Sequence, residues 1–406
     1  MESHFPTLMN SRIPGLAVVC SLLLLSGCEP DNGTTGSNPQ FNSQTNIEHP
    51  GALTISPLVP PFLTTAQEVH LQLREATAAM DTHIIELVTA PSAEKLEASR
   101  KAWQTAHSLL TAAKLFQYLP VKHPELYSGS ELDPESTGED NTNEASTKHS
   151  LWVQLDQAPL LPGYLDSVQG YPLSGLVHSE MSLTREALLA QHQFADTYYV
   201  AVGFHALEFL LWGESGARPI SDFLVPETAE VSPEARRLRL IKIISSLAAE
   251  DTNRLCSIWL NDSSYFTKKI TDGTSRHFQE QTVLEAIRGS IYHQIHDSDM
   301  GSLSLSHSEF SAAGKTDLSA LLSFIQSFTG IPEVTARLNE LDKKDTDISL
   351  IQLINELGKQ ISEWPTEAGT KQAKDDNVLD AQQRAVSRIT HLQKQIDSRL
   401  NALINQ

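Results

Sequence analysis

The 406-residue chain carries 50 acidic residues against 30 lysines and arginines, which gives a formal net charge of −20 at pH 7. This excess of negative charge argues against nucleic acids and anionic lipid surfaces as partners, because both repel an acidic protein. Beyond the N-terminal segments, the remaining length is sufficient for one large domain or two packed subdomains.

The N-terminus has the features of a targeting signal. Arg12 precedes an apolar run, Leu16–Leu25, that is too short to cross a membrane as a helix but is typical of a signal-peptide core. The sequence Leu-Ser-Gly-Cys at positions 25–28 resembles the bacterial lipobox. It predicts a lipoprotein signal peptide over residues 1–27 and lipidation of Cys28, which would anchor the mature chain in a lipid bilayer. The alternative is an ordinary signal peptide followed by an incidental cysteine.

Residues 28–50 are rich in Asn, Gly, Ser, Thr and Gln, a composition typical of a flexible tether. Glu29, rather than an aspartate, follows the cysteine, and in the usual bacterial sorting pattern this favours the outer membrane over the inner one. We therefore expect a cell-envelope lipoprotein that faces the periplasm, with its folded domain over residues 51–406.

Hydrophobic residues recur at helical spacing through most of this domain. The stripes predict one or two helices over Leu183–Trp212. They predict further helices over Leu71–Val88, Leu96–Ala113, Ile241–Trp259, Leu318–Phe328 and Val386–Leu403. Ser232 and Pro233 are typical of a helix start, and Gly330 with Pro332 of a helix end. Alternating patterns that would indicate strands are scarce. The predicted fold class is therefore all-α.

One predicted helix carries two polar side chains in a strongly apolar setting. His205 and Glu208 are three residues apart between Gly203 and Gly213, so they lie on the same helical face. Buried polar groups cost free energy unless they are paired, hydrogen-bonded or bound to a metal. This segment is therefore the first candidate for a functional site.

The segment closely resembles the Gly-x-His-x-x-Glu signature of the imelysin family of bacterial envelope proteins. Three further segments resemble family patterns in the expected order, and together they span about residues 66–330: 100–103, 152–166 and 307–330. The resemblance implies two packed helical bundles with a cleft between them that the His-x-x-Glu motif lines. Family members are classed with metallopeptidases, and relatives belong to iron-uptake systems.

A metal at the motif would need more ligands than the motif supplies. His205 and Glu208 offer two, whereas a catalytic zinc normally takes three from the protein. Nitrogen and oxygen donors suit iron as well as zinc. The zincin arrangement of two histidines at i and i+4 is absent here. A third ligand must therefore come from elsewhere, and His107 is the candidate.

Two segments depart from the family pattern. Lys114 occupies the place of a family glutamate, and His107 stands where the family often has arginine. A protonated lysine cannot ligate a cation and would repel one, but it could pair with Glu208 and satisfy that carboxylate without a metal. In the later segment the family's Glu-His becomes Ser306-His307, and its Asp-Asn-Thr becomes residues 312–314, Ala-Ala-Gly.

Three functions follow from these observations. The preferred one is binding of a ligand or metal in the cleft, linked to iron uptake, with iron or zinc held by His205, Glu208 and His107. The second is a metallopeptidase in which the same motif holds zinc and Glu208 is the catalytic residue. The third is a structural module without a metal, in which Lys114 has replaced the cleft chemistry.

Overall fold

The computed structural model describes residues 54–117, 151–227, 231–260, 263–296, 307–342, 348–364 and 376–406. The predicted signal peptide (1–27), tether (28–50) and lipidated Cys28 lie outside these residues and stay predictions. Among the described residues, no helix is both long and apolar enough to cross a membrane.

The described residues form helices and no strands, so the predicted all-α class is confirmed. A 3₁₀-helix covers Ile220–Phe223. The α-helices are α1 (Val59–Thr89), α2 (Ala93–Gln117), α3 (Leu151–Asp156), α4 (Pro162–Leu165), α5 (Arg185–Gln191), α6 (Phe204–Trp212), α7 (Pro233–Leu260), α8 (Ser263–Thr271), α9 (Arg276–His296), α10 (Gly314–Thr329), α11 (Pro332–Leu341), α12 (Leu350–Ser362) and α13 (Asp376–Ile404).

The first bundle consists of the long helices α1, α2 and α7. Phe62 of α1 lies against Phe116 of α2, with ring centroids 5.0 Å apart, and His70 of α1 stacks on Trp259 of α7 at 5.1 Å. Each fully buried phenylalanine contributes about 1.5–3 kcal/mol of hydrophobic stabilisation. The apolar side chains of the three helices therefore meet in one core. Leu71 and Ile85, which belong to the stripe predicted for α1, are instead exposed.

The second bundle consists of α9, α10, α12 and α13. Its α12 begins with a capping box in which Ser349 and Gln352 satisfy each other's backbone N–H groups. Helix α10 also packs along α2, which joins the two bundles. The predicted two-bundle architecture is confirmed. The end of α3 and the residues just before α10 lie near this junction.

The motif helix α6 is short and buried along its whole length. All nine of its side chains are buried, which explains why the segment is apolar on every face. Gly203 caps its start with φ of 91°, and a Cβ there would lie 2.2 Å from the carbonyl oxygen of Gln154. Only glycine therefore allows α3 and α6 to approach each other this closely. The predicted Leu183–Trp212 helical segment is two helices, α5 and α6, separated by an irregular stretch.

A buried ion cluster fixes the irregular segments between α4 and α7. The carboxylate of Asp166, fully buried, accepts from Nε of Arg237 at 2.6 Å and from Nη2 of the same residue at 3.1 Å. Nη1 of Arg218 lies 2.9 Å from Asp166 Oδ2. Burial raises the pKa of Asp166, but these arginines outweigh burial and hold that pKa below its usual range.

Substituting Asp166→Asn should lower the free energy of unfolding by about 3 kcal/mol at neutral pH, because it leaves two buried arginines without their counter-charge. The folded-state pKa of Asp166 is depressed, so its ionised carboxylate stabilises the folded state fully above the unfolded-state pKa. This stabilisation is lost as pH falls through the folded-state pKa. The difference between wild type and variant should therefore shrink in acid. Urea unfolding at neutral pH and near pH 3 measures this, and an equal loss at both would contradict the ion-pair explanation.

Candidate metal centre

Three histidines surround one carboxylate oxygen at the junction of the bundles. Oδ1 of Asp156, at the end of α3, lies 3.0 Å from Nε2 of His107 and 3.1 Å from Nε2 of His205. Nε2 of His307 is 3.2 Å from the same oxygen. His107 comes from α2, His205 from α6, and His307 from the segment before α10. Four separate segments therefore place donor atoms at one point.

The spacing of these donors fits a metal ion. A tetrahedral ion with bonds of about 2.0–2.1 Å keeps its ligand atoms about 3.3–3.4 Å apart. Nε2 of His205 and Nε2 of His307 are 3.4 Å apart, and all four ligand atoms lie within 4.8 Å of one another. Three imidazole nitrogens and one carboxylate oxygen form a donor set that suits zinc or iron.

Glu208 orients His205 and does not face the four-donor group. Its Oε2 lies 2.9 Å from Nδ1 of His205, on the opposite side of the ring from Asp156. Its Oε1 accepts from the backbone N–H of Ser311 at 2.8 Å and from the Ser311 hydroxyl at 2.6 Å. Both carboxylate oxygens are engaged, so Glu208 holds the imidazole in place. Carboxylates often have this role beside metal-ligating histidines.

His107 is oriented in the same way by Asp317. Nδ1 of His107 lies 3.0 Å from Oδ2 of Asp317. The hydroxyls of Ser108 and Ser308 each donate to Asp317 at 2.8 Å. The ring also stacks on Trp103, with centroids 4.6 Å apart and planes at 7°. The His107 ring is therefore fixed before any ligand arrives.

Lys114 adds a buried positive charge to the group. Its Nζ lies 2.5 Å from Oδ2 of Asp156 and 3.3 Å from Nε2 of His307. The sequence suggested a pair between Lys114 and Glu208, and this suggestion is wrong. The oxygens of Glu208 are engaged by His205 and Ser311, and Lys114 pairs with Asp156 instead.

The protonation of the histidines follows from their partners. Burial lowers the pKa of His107, but Asp317 and Asp156 outweigh burial and raise it to about 10. Both ring nitrogens of His205 also face carboxylate oxygens, which raise its pKa against the effect of burial. Only an imidazolium donates from both nitrogens, so the metal-free geometry favours the charged form of both rings.

His307 and Asp156 complete the electrostatics of the group. Burial raises the pKa of Asp156, but Lys114, His307 and hydrogen bonds from the other two histidines hold it well below its usual range. Burial and the Lys114 ammonium lower the pKa of His307 to about 4. Neutral His307 cannot both accept from Lys114 and donate to Asp156 through its single Nε2 atom. In either tautomer this nitrogen therefore makes a favourable contact with only one of the two neighbours.

The space beside the motif is small. A cavity of about 10 Å³ borders His205, Glu208 and His307. This is about the volume that one water molecule needs. Within the described part of the chain, the cleft implied by the family resemblance is therefore narrow beside the motif, and His205 and His307 line a space on the scale of a water molecule.

The sequence identified only part of this group. The structure brings the predicted His107 and His205 together, and it places Glu208 behind His205. Sequence reasoning missed Asp156 and His307 as possible ligands. His307 had a signal, since it is the histidine of the family's Glu-His pair, which becomes Ser306-His307 in this chain. Asp156 lies in the segment that begins at Trp152, but its own position carried no distinguishing pattern.

Together, the fold and this group define an all-α protein with a buried histidine–carboxylate cluster where two helical bundles meet. The family model described as Imelysin matches residues 66–400, so the chain belongs to the imelysin family. The match extends the resemblance seen over residues 66–330 through the second bundle.

Two solved structures share this fold. An imelysin-like protein from Psychrobacter arcticum is 14% identical, with a TM-score of 0.52, and the alignment covers 87% of this chain and 98% of that one. A protein from Parabacteroides distasonis, named as an iron-regulated protein A precursor, is 12% identical with a TM-score of 0.52. That alignment covers 88% of this chain and 96% of the other. No curated protein matches the chain.

Proposed function

We propose that this imelysin-family protein binds a divalent transition-metal ion through His107, Asp156, His205 and His307. The observation that carries the proposal is the convergence of three imidazole Nε2 atoms within 3.0–3.2 Å of one carboxylate oxygen. Carboxylate partners already orient two of the three rings, as is usual beside metal ligands. When bound, the ion would supply the positive charge that the protons on His107 and His205 supply in its absence.

Iron is the ion that we favour, with zinc as the alternative. The solved structure from Parabacteroides distasonis carries the name of an iron-regulated protein, and it shares this fold. The donor set accepts either ion. We place the protein in the cell envelope, facing the periplasm and attached to the bilayer through lipidated Cys28, because of the lipobox-like sequence at positions 25–28. In this location a metal-binding protein would take part in uptake.

A metallopeptidase is supported less well by the geometry. Glu208 is 1% exposed, and both its oxygens are engaged by His205 and Ser311, so it does not reach a substrate. A peptide also needs far more room than the cavity of about 10 Å³ beside the motif. The Lys114–Asp156 ion pair is the observation that favours a structural module without a metal.

Metal analysis of the purified protein separates these functions. After incubation with Fe²⁺ or Zn²⁺ and removal of excess ion, wild type should retain about one equivalent, as one four-ligand site requires. His205→Ala should abolish retention, because it removes one ligand and leaves the carboxylates of Asp156 and Glu208 without that ring. His391→Ala, an exposed histidine of α13, is the matched control and should retain the ion.

The other outcomes also decide the question. Retention of neither ion by wild type would reject metal binding and leave the structural module. Retention that His205→Ala does not change would place the ion elsewhere. A peptide-cleavage assay with the metal-loaded protein completes the test, since cleavage that His205→Ala abolishes would favour the peptidase over the binding protein.

A further inference from the structure

A large pocket lies away from the metal group, between the start of α7 and the loop over residues 177–183. Its volume is about 790 Å³, within the range that holds a small organic molecule. Arg236 and Arg239 line it from α7 and are three residues apart, so both guanidinium groups lie on the same helical face. Glu180 is the only carboxylate residue among the described residues that line the pocket.

The two arginines are held in place from one edge. Arg236 donates to the carbonyl oxygens of Leu176, Val177 and Met181, all at 2.9 Å. Arg239 donates from Nε to the carbonyl oxygen of Leu183 at 2.8 Å. Within the described part of the chain, this bond leaves both terminal nitrogens of Arg239 available. Burial and the neighbouring positive charge of Arg239 lower the pKa of Arg236.

The lining of the pocket also includes His178, Val231 and Met181. Nε2 of His178 is buried without a hydrogen-bond partner among the described residues, and it lies 3.7 Å from Oδ1 of Asp166, so it faces the buried ion cluster. Val231 is apolar but 76% exposed, and it lines the pocket together with Met181.

We infer that this pocket binds a small amphipathic carboxylate. The carboxylate end would accept from the two terminal nitrogens of Arg239, and Arg236, whose Nε and Nη2 already donate to the loop, would add positive charge beside it. The apolar body would cover Val231 and Met181. The start of α7 adds a favourable partial positive charge, but the arginines and the pocket volume carry the inference. In a chain with a net charge of −20, a pocket with this balance of charge is selective for anions by its local chemistry.

Isothermal titration of the full-length protein with octanoate tests the inference. Wild type should bind octanoate, and Arg239→Gln should weaken binding by about tenfold or more, because it removes a charge-assisted contact. Arg254→Gln is the matched control, since Arg254 lies on the same helix outside the pocket and should leave the affinity unchanged. The uncharged analogue 1-octanol should bind more weakly than octanoate.

Several results would overturn the inferred carboxylate site in this pocket. Absence of octanoate binding to wild type would do so, as would equal binding to Arg239→Gln with an unchanged circular dichroism spectrum. Inorganic phosphate that binds as tightly as octanoate would show an anion site without a role for the apolar lining. Because the pocket is separate from the histidine group, His205→Ala should leave octanoate binding intact.

Discussion

Replacing Lys114 with methionine should strengthen the binding of Zn²⁺ or Fe²⁺ by roughly 10- to 100-fold. The ammonium of Lys114 lies 2.5 Å from Oδ2 of Asp156 and 3.3 Å from Nε2 of His307, so it is close to two proposed ligands. It repels a divalent ion and competes with the ion for the same carboxylate. Methionine has a similar length but no charge. In the variant, a bound metal ion would therefore replace the ammonium as the counter-charge of Asp156.

The same substitution should destabilise the protein when no metal is present. Breaking a buried ion pair from one side costs about 3–5 kcal/mol, because the remaining charge is left without a partner. The imidazolium groups of His107 and His205 still face Asp156 and reduce this cost. Added metal should then raise the midpoint of thermal unfolding more in Lys114→Met than in wild type.

Titration calorimetry with each ion measures the affinities, and calorimetric melting with and without metal measures the stabilities. Lys101→Met is the matched control, since Lys101 is an exposed lysine of the same helix, and it should behave as wild type. Equal metal affinities for wild type and Lys114→Met would show that the Lys114 ammonium does not reduce the free energy of metal binding. If neither protein binds an ion, the proposed metal site itself is wrong.

The helices could be predicted from sequence because their determinants are local. Helical spacing predicted the last helix over Val386–Leu403, and α13 covers Asp376–Ile404. Ser232 and Pro233 predicted the start of α7, where the Ser232 hydroxyl accepts from the N–H of Ala235. The segment Leu183–Trp212 was predicted as one or two helices, and the structure has two. The position of the break could not be predicted, because apolar residues of an irregular buried segment have the same composition as a helix.

The partners within the site could not be predicted in this way. His205 and Glu208 are three residues apart, so helix geometry alone places them together, and they are in contact at 2.9 Å. Asp156 meets His205 only because Gly203 allows α3 to approach α6, and this contact depends on tertiary packing. The suggested pair between Lys114 and Glu208 was wrong for the same reason, since Lys114 contacts Asp156 instead. Family position placed this lysine near the motif, but only the fold shows that Asp156 lies between Lys114 and His205.

Replacing Asp156 with asparagine should abolish metal binding and lower the free energy of unfolding by about 3–5 kcal/mol in the absence of metal. Asp156 supplies the oxygen shared by His107, His205 and His307, and it is also the counter-ion of Lys114. Asparagine keeps the shape but removes the negative charge, so Lys114 and two protonated rings are left facing one another. Urea unfolding in the presence of a chelator measures the stability, and titration calorimetry measures the binding.

A comparison with two other variants separates the effect of the Asp156 charge from the non-specific loss of stability that any Asp→Asn substitution causes. Asp397→Asn removes a partly exposed pair with Arg288 and should cost less than about 1 kcal/mol. In a double-mutant cycle, Asp156→Asn should cost clearly less in the Lys114→Met background than in wild type, because its main partner is already gone. Additive losses would mean that the two charges do not interact, despite a separation of 2.5 Å. A strong coupling would instead show that Lys114 is the counter-charge of Asp156 in the metal-free protein. Combined with tighter metal binding by Lys114→Met, it would mean that metal and lysine compete for one carboxylate.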